Sequence, residues 1–164
     1  MARAETAAAT MGGALVGAQY LTFTLGSEAY GVDILRVQEI KGYTAVTPIP
    51  NAPDYLKGVM NLRGTVIPVI DLRRRFRMEV ADYTAFTVVI VVTVGPRVMG
   101  LVVDAVSEVL DVAPGDVEPT PDLGGQVDGG FVSGLAKTGD RLVVLLDIER
   151  VVGGAEKVGA DATP

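Results

Sequence analysis

The chain has 164 residues and a formal net charge of −6; 49% of its residues are hydrophobic but only 5% are aromatic. This balance is typical of a folded domain with an aliphatic core, and the many β-branched residues favour sheet. The sequence contains no Cys and no His. Their absence excludes disulfides and Cys-based zinc sites and removes the commonest general base and metal ligand. The negative charge disfavours nucleic-acid binding. We therefore expect a protein-binding protein without catalytic residues, metal or cofactor.

Both ends of the chain are rich in small residues and are predicted to be flexible tails, at 1–18 and 153–164, around a folded region at 19–152. The most apolar stretch, Phe86–Val106, is interrupted by Gly95-Pro96-Arg97. It therefore predicts two strands and not a membrane span. The first residues include Glu5 and no sustained apolar run, unlike a signal peptide. Together with the lack of Cys, these features favour a cytoplasmic protein.

The first predicted elements form a hairpin. Gln19–Leu25 alternates polar and apolar residues as a half-buried strand does. A turn follows at Gly26-Ser27-Glu28, and Ala29–Asp33 is the returning strand. Ile34–Ile40 fits either a helical turn or a strand.

A proline-containing connection and a second hairpin follow. Asn51–Gly58 is predicted to be a short helix that Asn51 or Asp54 caps and Gly58 ends. Val59–Leu62 and Thr65–Leu72 are predicted strands, joined by a turn at Arg63-Gly64.

The second half of the sequence repeats the first. Leu25-Gly26-x-x-x-Tyr30-Gly31-Val32 matches Val94-Gly95-x-x-x-Met99-Gly100-Leu101. At the same spacing, Val37-x-Glu39-Ile40 matches Val106-x-Glu108-Val109. After a short insertion, Val66–Leu72 matches Leu142–Ile148. The chain is thus predicted to be a duplication of one all-β unit.

Each repeat holds about five short strands, too few to bury much apolar surface alone. Such strands protect their edges best by curling into a barrel. We therefore predict two five-stranded barrels side by side with a groove between them, a natural binding site. Subdomain 1 is expected at about 19–82 plus the C-terminal segment, and subdomain 2 at about 83–147.

Two groups of charged residues could suggest catalysis or binding, but each has a simpler structural interpretation. Asp71 and Asp147 are equivalent in the repeats, and paired carboxylates can serve in acid–base catalysis. Each, however, ends a strand before a short helical stretch, where Asp is a favoured N-cap. The basic run Arg73-Arg74-Arg75-Phe76-Arg77 is interpreted as a solvated face or as a contact to an acidic partner.

Glu39 stands among apolar residues, and Arg63 stands at a predicted turn. A charge in such surroundings is usually paired or used in recognition. An outward Glu and a hairpin-tip Arg in solvent would explain them equally well. The residues alone leave both interpretations open.

Three stretches of the sequence resemble CheW, the bacterial chemotaxis coupling family. They are Gln19-Tyr20-Leu21-Thr22-Phe23-Thr24-Leu25-Gly26, Tyr30-Gly31-Val32-Asp33-Ile34-x-x-Val37-Gln38-Glu39-Ile40, and Asn61-Leu62-Arg63-Gly64 followed by Pro68-Val69-Ile70-Asp71-Leu72. Gly100–Leu110 is similar as well, so that the resemblance covers roughly Gln19–Val152. It implies two SH3-like five-stranded barrels and a non-enzymatic adaptor. Its partners would be methyl-accepting chemotaxis receptors and the histidine kinase CheA, at receptor arrays on the inner face of the membrane.

The resemblance also implies two sets of binding residues. Those expected to bind receptors are Val37, Glu39, Gly58, Arg63, Gly100, Val106 and Val109. Those expected to bind the kinase regulatory domain are Thr47, Lys57, Glu118 and Leu123. Glu118 and Leu123 stand where the family is expected to have a basic and an aromatic residue.

Two alternatives remain open. One is an adaptor of the same family that serves another receptor–kinase array, such as one controlling pili or gliding. The other is a small-barrel module that binds a ligand or single-stranded nucleic acid through exposed aromatics. Against it, Tyr20, Phe23 and Phe86 lie in strand patterns that predict burial.

Overall fold

The computed structural model describes residues 18–44, 46–79, 82–118 and 129–153, and the fold is mostly β. Within those ranges the strands are β1 (Ala18–Leu25), β2 (Glu28–Asp33), β3 (Val37–Gly42), β4 (Leu56–Leu62), β5 (Thr65–Asp71), β6 (Val88–Val94), β7 (Arg97–Val103), β8 (Ala105–Val112), β9 (Val117–Glu118), β10 (Val132–Thr138) and β11 (Arg141–Leu146). The short helices are α1 (Leu72–Arg75) and α2 (Ile148–Val151), with 3-10 turns at Ile34–Arg36, Pro114–Asp116 and Gly129–Phe131.

The strands form two sheets, one of six strands in the order β9-β10-β11-β2-β1-β8 and one of five in the order β3-β6-β7-β5-β4. The architecture is that of two SH3-like β subdomains, as predicted. The two-residue β9 adds the sixth strand, pairing Val117 with Ala136 of β10. In the five-stranded sheet an isolated bridge between Thr47 and Val59 takes the corresponding place.

The repeats exchange their first hairpins. Hairpin β6–β7 of the second repeat joins the sheet of β3, β4 and β5, whereas hairpin β1–β2 of the first repeat joins the sheet of β8 to β11. The sheets thus combine strands from both repeats, whereas the predicted subdomains, at about 19–82 plus the C-terminal segment and at about 83–147, follow the chain order. The division differs because two parallel pairings, β5 with β7 and β11 with β2, join strands far apart in the chain. Such pairings leave no local signal.

The registers match the repeat spacing read from the sequence. Val37 pairs with Val92 and Ile40 with Ile90, just as Val106 pairs with Phe23 and Val109 with Leu21. Both pairings contain a register shift at the same point of the repeat. Because each hairpin pairs with the other repeat in the same way, the repeats are related by an approximate twofold arrangement.

Three apolar clusters hold the sheets together. The largest, here called the shared core, contains residues of both sheets, among them Phe23, Tyr30, Ile70 and Leu101. A second cluster around Ile67 belongs to the five-stranded sheet, and a third around Val143 to the six-stranded sheet. Each sheet is therefore covered on one face by its own small core and on the other by the shared core.

Asp71 and Asp147 are helix caps, as the sequence indicates. The Asp71 carboxylate accepts hydrogen bonds from the backbone N–H groups of Arg73 and Arg74, and Asp147 accepts them from Glu149 and Arg150. Each satisfies donors that a helix start leaves without partners.

The basic run is only in part the expected solvated face, because Arg74 and Arg77 are exposed whereas Arg73 and Arg75 make internal contacts. Arg73 donates to both oxygens of Asp104, at 2.9 and 2.6 Å. Arg75 donates to the Val151 carbonyl at 2.7 Å and stacks over the Tyr55 ring at 4.2 Å. Because Arg73 and Arg75 make these internal contacts, their guanidinium groups are less available to bind an acidic partner.

Two local predictions are wrong. Leu56–Gly58, placed in a helix by its flanking residues, begins β4, because pairing with β5 and the Thr47 bridge outweighs the local preference. Phe86, expected to be buried, is 74% exposed in a turn that the Thr84 and Thr87 hydroxyl groups stabilise. Of the other two aromatics, Phe23 is buried and Tyr20 is partly buried.

The two predicted tails lie almost entirely outside the described residues. At their inner ends, Ala18 already belongs to β1 and Gly153 follows α2. Within the described ranges, the helices are too short and too polar to cross a membrane.

Candidate functional site

Arg63 reaches Glu39 from the tip of the β4–β5 hairpin. The turn residues Arg63 and Gly64 both have positive φ, 51° and 90°, as in the type I′ turns that close two-residue hairpins. The Asn61 side chain accepts a hydrogen bond from the Gly64 N–H at 2.8 Å and fixes the turn. The Arg63 guanidinium then makes two hydrogen bonds to the Glu39 carboxylate. The sequence left this pairing open, and the structure shows it.

Arg63 is exposed and Glu39 is partly buried, and the pair remains charged over a wide pH range. The hydrogen bonds from Arg63 hold the pKa of the Glu39 carboxyl below its ordinary value, and the same bonds raise the pKa of the Arg63 guanidinium. Exposed ion pairs contribute little to stability because water and salt screen them. A fixed pair of this kind serves orientation and specificity better than it serves folding.

Val37, Val106 and Val109 lie on two edge strands, β3 and β8, one in each sheet. Val37 and Val106 are partly buried and pack against the shared core. Val109 is half exposed. The first residues of β3 and β8 therefore both pack on the shared core.

Gly58 and Gly100 are buried, so that neither joins the exposed residues. At Gly58, φ is 149° and a Cβ atom would clash with the Thr47 carbonyl oxygen. At Gly100, a Cβ would lie 2.7 Å from a Val89 methyl carbon. Both glycines thus permit close packing of neighbouring segments. Their assignment to the receptor set stays a prediction.

Lys57 lies in β4, an outer strand of the five-stranded sheet, and Thr47 lies beside that strand. Thr47 is exposed and exchanges two backbone hydrogen bonds of 2.8 Å with Val59 of β4. The Lys57 ammonium lies 5.1 Å from the centre of the Tyr83 ring. Tyr83 in turn packs edge-on against Tyr43 and donates to Asp71 at 2.7 Å. Burial, followed by this hydrogen bond, raises the pKa of the Tyr83 hydroxyl.

Glu118 lies on β9, the outer strand of the six-stranded sheet. Its carboxylate contacts the Lys137 ammonium at 2.8 Å, and this contact raises the pKa of Lys137. Thr47 pairs with Val59, and Glu118 pairs with Leu135, the residue equivalent to Val59 in the repeats. Thr47 and Glu118 are thus equivalent positions. Leu123 lies outside the described residues.

The two predicted sets of binding residues lie on different edges. The surface residues of the receptor set are on β3, β8 and the β4–β5 turn, whereas Thr47, Lys57 and Glu118 are on or beside β4 and β9. Different edge strands give two partners room to bind without competing for the same residues.

Sequence reasoning missed several exposed residues that flank the receptor set. Ile40, Val66 and Leu142 are large aliphatic side chains in contact with solvent, and Arg141 pairs with Glu108. The repeat alignment carried a signal for them, because Ile40 matches Val109 and Val66 matches Leu142. Strand alternation alone predicts only which side chains share a face.

Comparisons with known proteins agree with this architecture. The model of the CheW-like domain matches residues 19–156. Chemotaxis protein CheW of Klebsiella aerogenes is 45% identical over 151 residues, covering 92% of this chain and 91% of that protein. Chemotaxis protein CheW of Rhizobium meliloti is 39% identical over 144 residues, covering 88% of this chain and 93% of that protein.

A solved structure has the same fold. The scaffolding protein TtCheW from Thermoanaerobacter tengcongensis superimposes with a TM-score of 0.79 at 34% sequence identity. The match covers 84% of this chain and 94% of that one. Sequence and structure thus agree over nearly the whole folded region, and the chain belongs to the CheW-like family of chemotaxis scaffold proteins.

Proposed function

We propose that this chain is a non-enzymatic adaptor that couples methyl-accepting chemotaxis receptors to the histidine kinase CheA. Its place in the cell would be the cytoplasm, at receptor arrays on the inner face of the membrane. Membership of a scaffold family supports the general role. The two partners and the surfaces that bind them are inferred from the residues below.

The Glu39–Arg63 pair on the five-stranded sheet is the observation that carries the proposal. Val37 lies two residues from Glu39 on β3, while Val106 and the half-exposed Val109 lie on β8. An amphipathic receptor helix would place its apolar stripe against these aliphatics, in the helix-in-groove mode. The ion pair would then fix the register of the helix.

The kinase regulatory domain would bind the opposite edges, through Thr47 beside β4, Lys57 on β4 and Glu118 on β9. Edge strands present unpaired backbone groups that a partner sheet can contact. Lys57 adds a positive charge held over Tyr83, and Glu118 adds a negative one beside Lys137. Leu123, outside the described residues, is proposed for the same surface from the family resemblance.

A non-catalytic role agrees with how the carboxylates are used. Asp71 and Asp147 cap helices, and Asp104 is held by Arg73. The hydrogen bonds from Arg73 keep the pKa of Asp104 below its ordinary value, the opposite of a general acid poised near neutrality.

Calorimetric titration tests the proposal directly. The full chain is titrated with the CheA regulatory domain of its own organism and, separately, with a receptor signalling fragment. We expect micromolar or tighter binding to both, and little competition between them because the surfaces differ. A folded chain that bound neither partner would overturn the proposal and leave the pili or gliding array as the next pair of partners to titrate.

A further inference from the structure

A buried hydroxyl group on β1 bonds to the backbone of the edge strand β8. Thr22 is 1% exposed. Its hydroxyl donates to the Glu108 carbonyl at 2.8 Å and accepts from the Glu108 N–H at 3.1 Å. One hydroxyl can donate and accept at the same time. In these two fully described strands the ladder passes from Val106 to Val109 with a register shift and without a backbone pair between them, so that the Thr22 side chain bridges the gap.

The other repeat has the same pair of strands without a hydroxyl at this point. Val91 is equivalent to Thr22, and Glu39 is equivalent to Glu108. Val91 is fully buried and pairs with Glu39 directly in the β3–β6 ladder. A valine at this repeat position is therefore compatible with a folded strand pair. The threonine changes how β8 is held and is not required for the strands to pair.

The two edge strands also differ in the residues that they expose. Along β3, partly buried and exposed residues alternate, as in a regular strand. Along β8, Ser107, Glu108 and Val109 are all exposed. The Glu39 side chain is 25% exposed, whereas that of Glu108 is 53% exposed. The break in alternation is centred on the residue that Thr22 bonds, and irregularities of this kind at sheet edges redirect side chains.

We propose that Thr22 is a positioning residue for the partner-binding surface of β8. Its hydroxyl fixes the backbone at Glu108 and, through it, the exposed position of Val109. This inference rests on the proposed function, in which Val106 and Val109 contact a receptor helix. Thr22 is buried and touches no partner, so that it acts only through β8. A segment that is fixed before binding loses less conformational freedom when a partner binds.

Thr22→Val tests this role, because it replaces the hydroxyl with a methyl group. We expect a thermal midpoint close to that of the wild type, since valine occupies the equivalent position in β6. The Glu108 amide proton should exchange with solvent about tenfold faster, measured by nuclear magnetic resonance. Affinity for the receptor signalling fragment should fall about fivefold. Affinity for the kinase regulatory domain should not change, because its proposed contacts lie on other strands.

Two variants serve as controls. Thr22→Ser keeps the hydroxyl and should restore both the receptor affinity and the Glu108 exchange rate to within about twofold of the wild type. Thr24→Val makes the same chemical change two residues further along β1, where the strand pairs with Ala105 on the other side of the register shift. Its receptor affinity and its Glu108 exchange rate should equal those of the wild type.

The outcomes separate this inference from the proposed function. If Thr22→Val bound the receptor fragment as tightly as the wild type, Thr22 would not position the surface and the inference would be wrong. Equal losses of receptor and kinase affinity, together with a lower thermal midpoint, would show a residue of the general fold and would also overturn it. Failure of the wild type to bind the receptor fragment would instead overturn the proposed function, and this inference with it.

Discussion

At Arg63 a left-handed backbone carries an exposed side chain that pairs with Glu39. Glycine adopts a positive φ without the steric cost of a Cβ atom. Arg63→Gly should therefore keep the turn and remove the side chain that carries the guanidinium. We expect an unchanged or slightly higher thermal midpoint and a roughly five- to tenfold lower affinity for the receptor fragment, measured by scanning and titration calorimetry.

Arg63→Glu provides a stronger version of the same test, because it places a carboxylate beside Glu39. We expect a folded protein with weaker receptor binding than Arg63→Gly. Loss of folding in both variants, without a separate binding defect, would make Arg63 a structural residue and would contradict its place in the receptor-binding surface.

Asp104 is the residue at which pH acts most directly on stability. It accepts two hydrogen bonds from Arg73 and a third from the Gly26 N–H at 2.8 Å. The bonds from Arg73 lower its pKa in the folded state. Because the folded pKa lies below the unfolded value of about 3.9, its contribution is complete above that value and is lost as pH falls through the folded pKa.

Asp104→Asn should therefore lower the free energy of unfolding by about 1–3 kcal/mol at neutral pH, since it weakens a charged hydrogen-bond network. It should also reduce the loss of stability below about pH 4. Urea unfolding between about pH 2 and 7 measures both effects, with the exposed Asp116→Asn as a control. A variant as stable as the wild type at neutral pH would show that the Arg73 contact contributes nothing.

Among the elements, β4 depends on the glycine that lets the Thr47 segment approach it. A Cβ at residue 58 meets the Thr47 backbone, and φ is positive there. Gly58→Ala is expected to cost about 2–4 kcal/mol through backbone strain and the weakened Thr47–Val59 bonds. Denaturant unfolding tests this against Gly42→Ala, where a Cβ would meet open space. Equal stability of the two variants would exclude the clash.

Arg75 joins helix α1 to helix α2. It donates to the Val151 carbonyl, and its guanidinium stacks over the rings of Tyr55 and Phe131 at 4.2 and 4.7 Å. Arg75→Ala should lower the free energy of unfolding by about 1–3 kcal/mol. Arg75→Lys should recover little, because an ammonium lacks the planar fork. Arg74→Ala, at an exposed position, is the control. If Arg75→Lys were as stable as the wild type, the positive charge alone would explain the contribution of Arg75.

For the whole molecule, the exchange of hairpins makes the two repeats depend on each other. Each sheet draws strands from both repeats, and the shared core contains residues of both. We expect one cooperative thermal transition, with calorimetric and van't Hoff enthalpies that agree. Two separate transitions would show that the sheets fold independently.

Fragments test the same exchange more directly. Residues 18–79 and 82–153 cut the chain between the repeats and leave each sheet without one hairpin. Each fragment alone should lack the native circular dichroism spectrum, and mixing the two should restore it. If one fragment folded alone, the exchange of hairpins would not be required for stability.

Features that depend on near neighbours follow from the amino-acid sequence alone. Alternation in Gln19–Leu25 indicated β1, and the two-residue turn at Arg63-Gly64 was recognisable because such hairpins need special backbone angles. Asp71 and Asp147 were readable as caps since a cap bonds only to the next few residues. The repeat, and with it the equivalence of Glu39 and Glu108, was also visible in the residues.

Features that depend on distant partners are set by tertiary contacts. The parallel pairs β5–β7 and β11–β2 set which hairpin enters which sheet, and such pairing has no local pattern. The same holds for Leu56–Gly58, drawn into β4 by its neighbours, and for Arg73 and Arg75, whose partners lie in other elements. The Glu–Arg contacts belong to this group too, because hairpin tips meet edge strands only after both sheets have curled. Local periodicity fixes the strands, while long-range pairing fixes which surfaces they share.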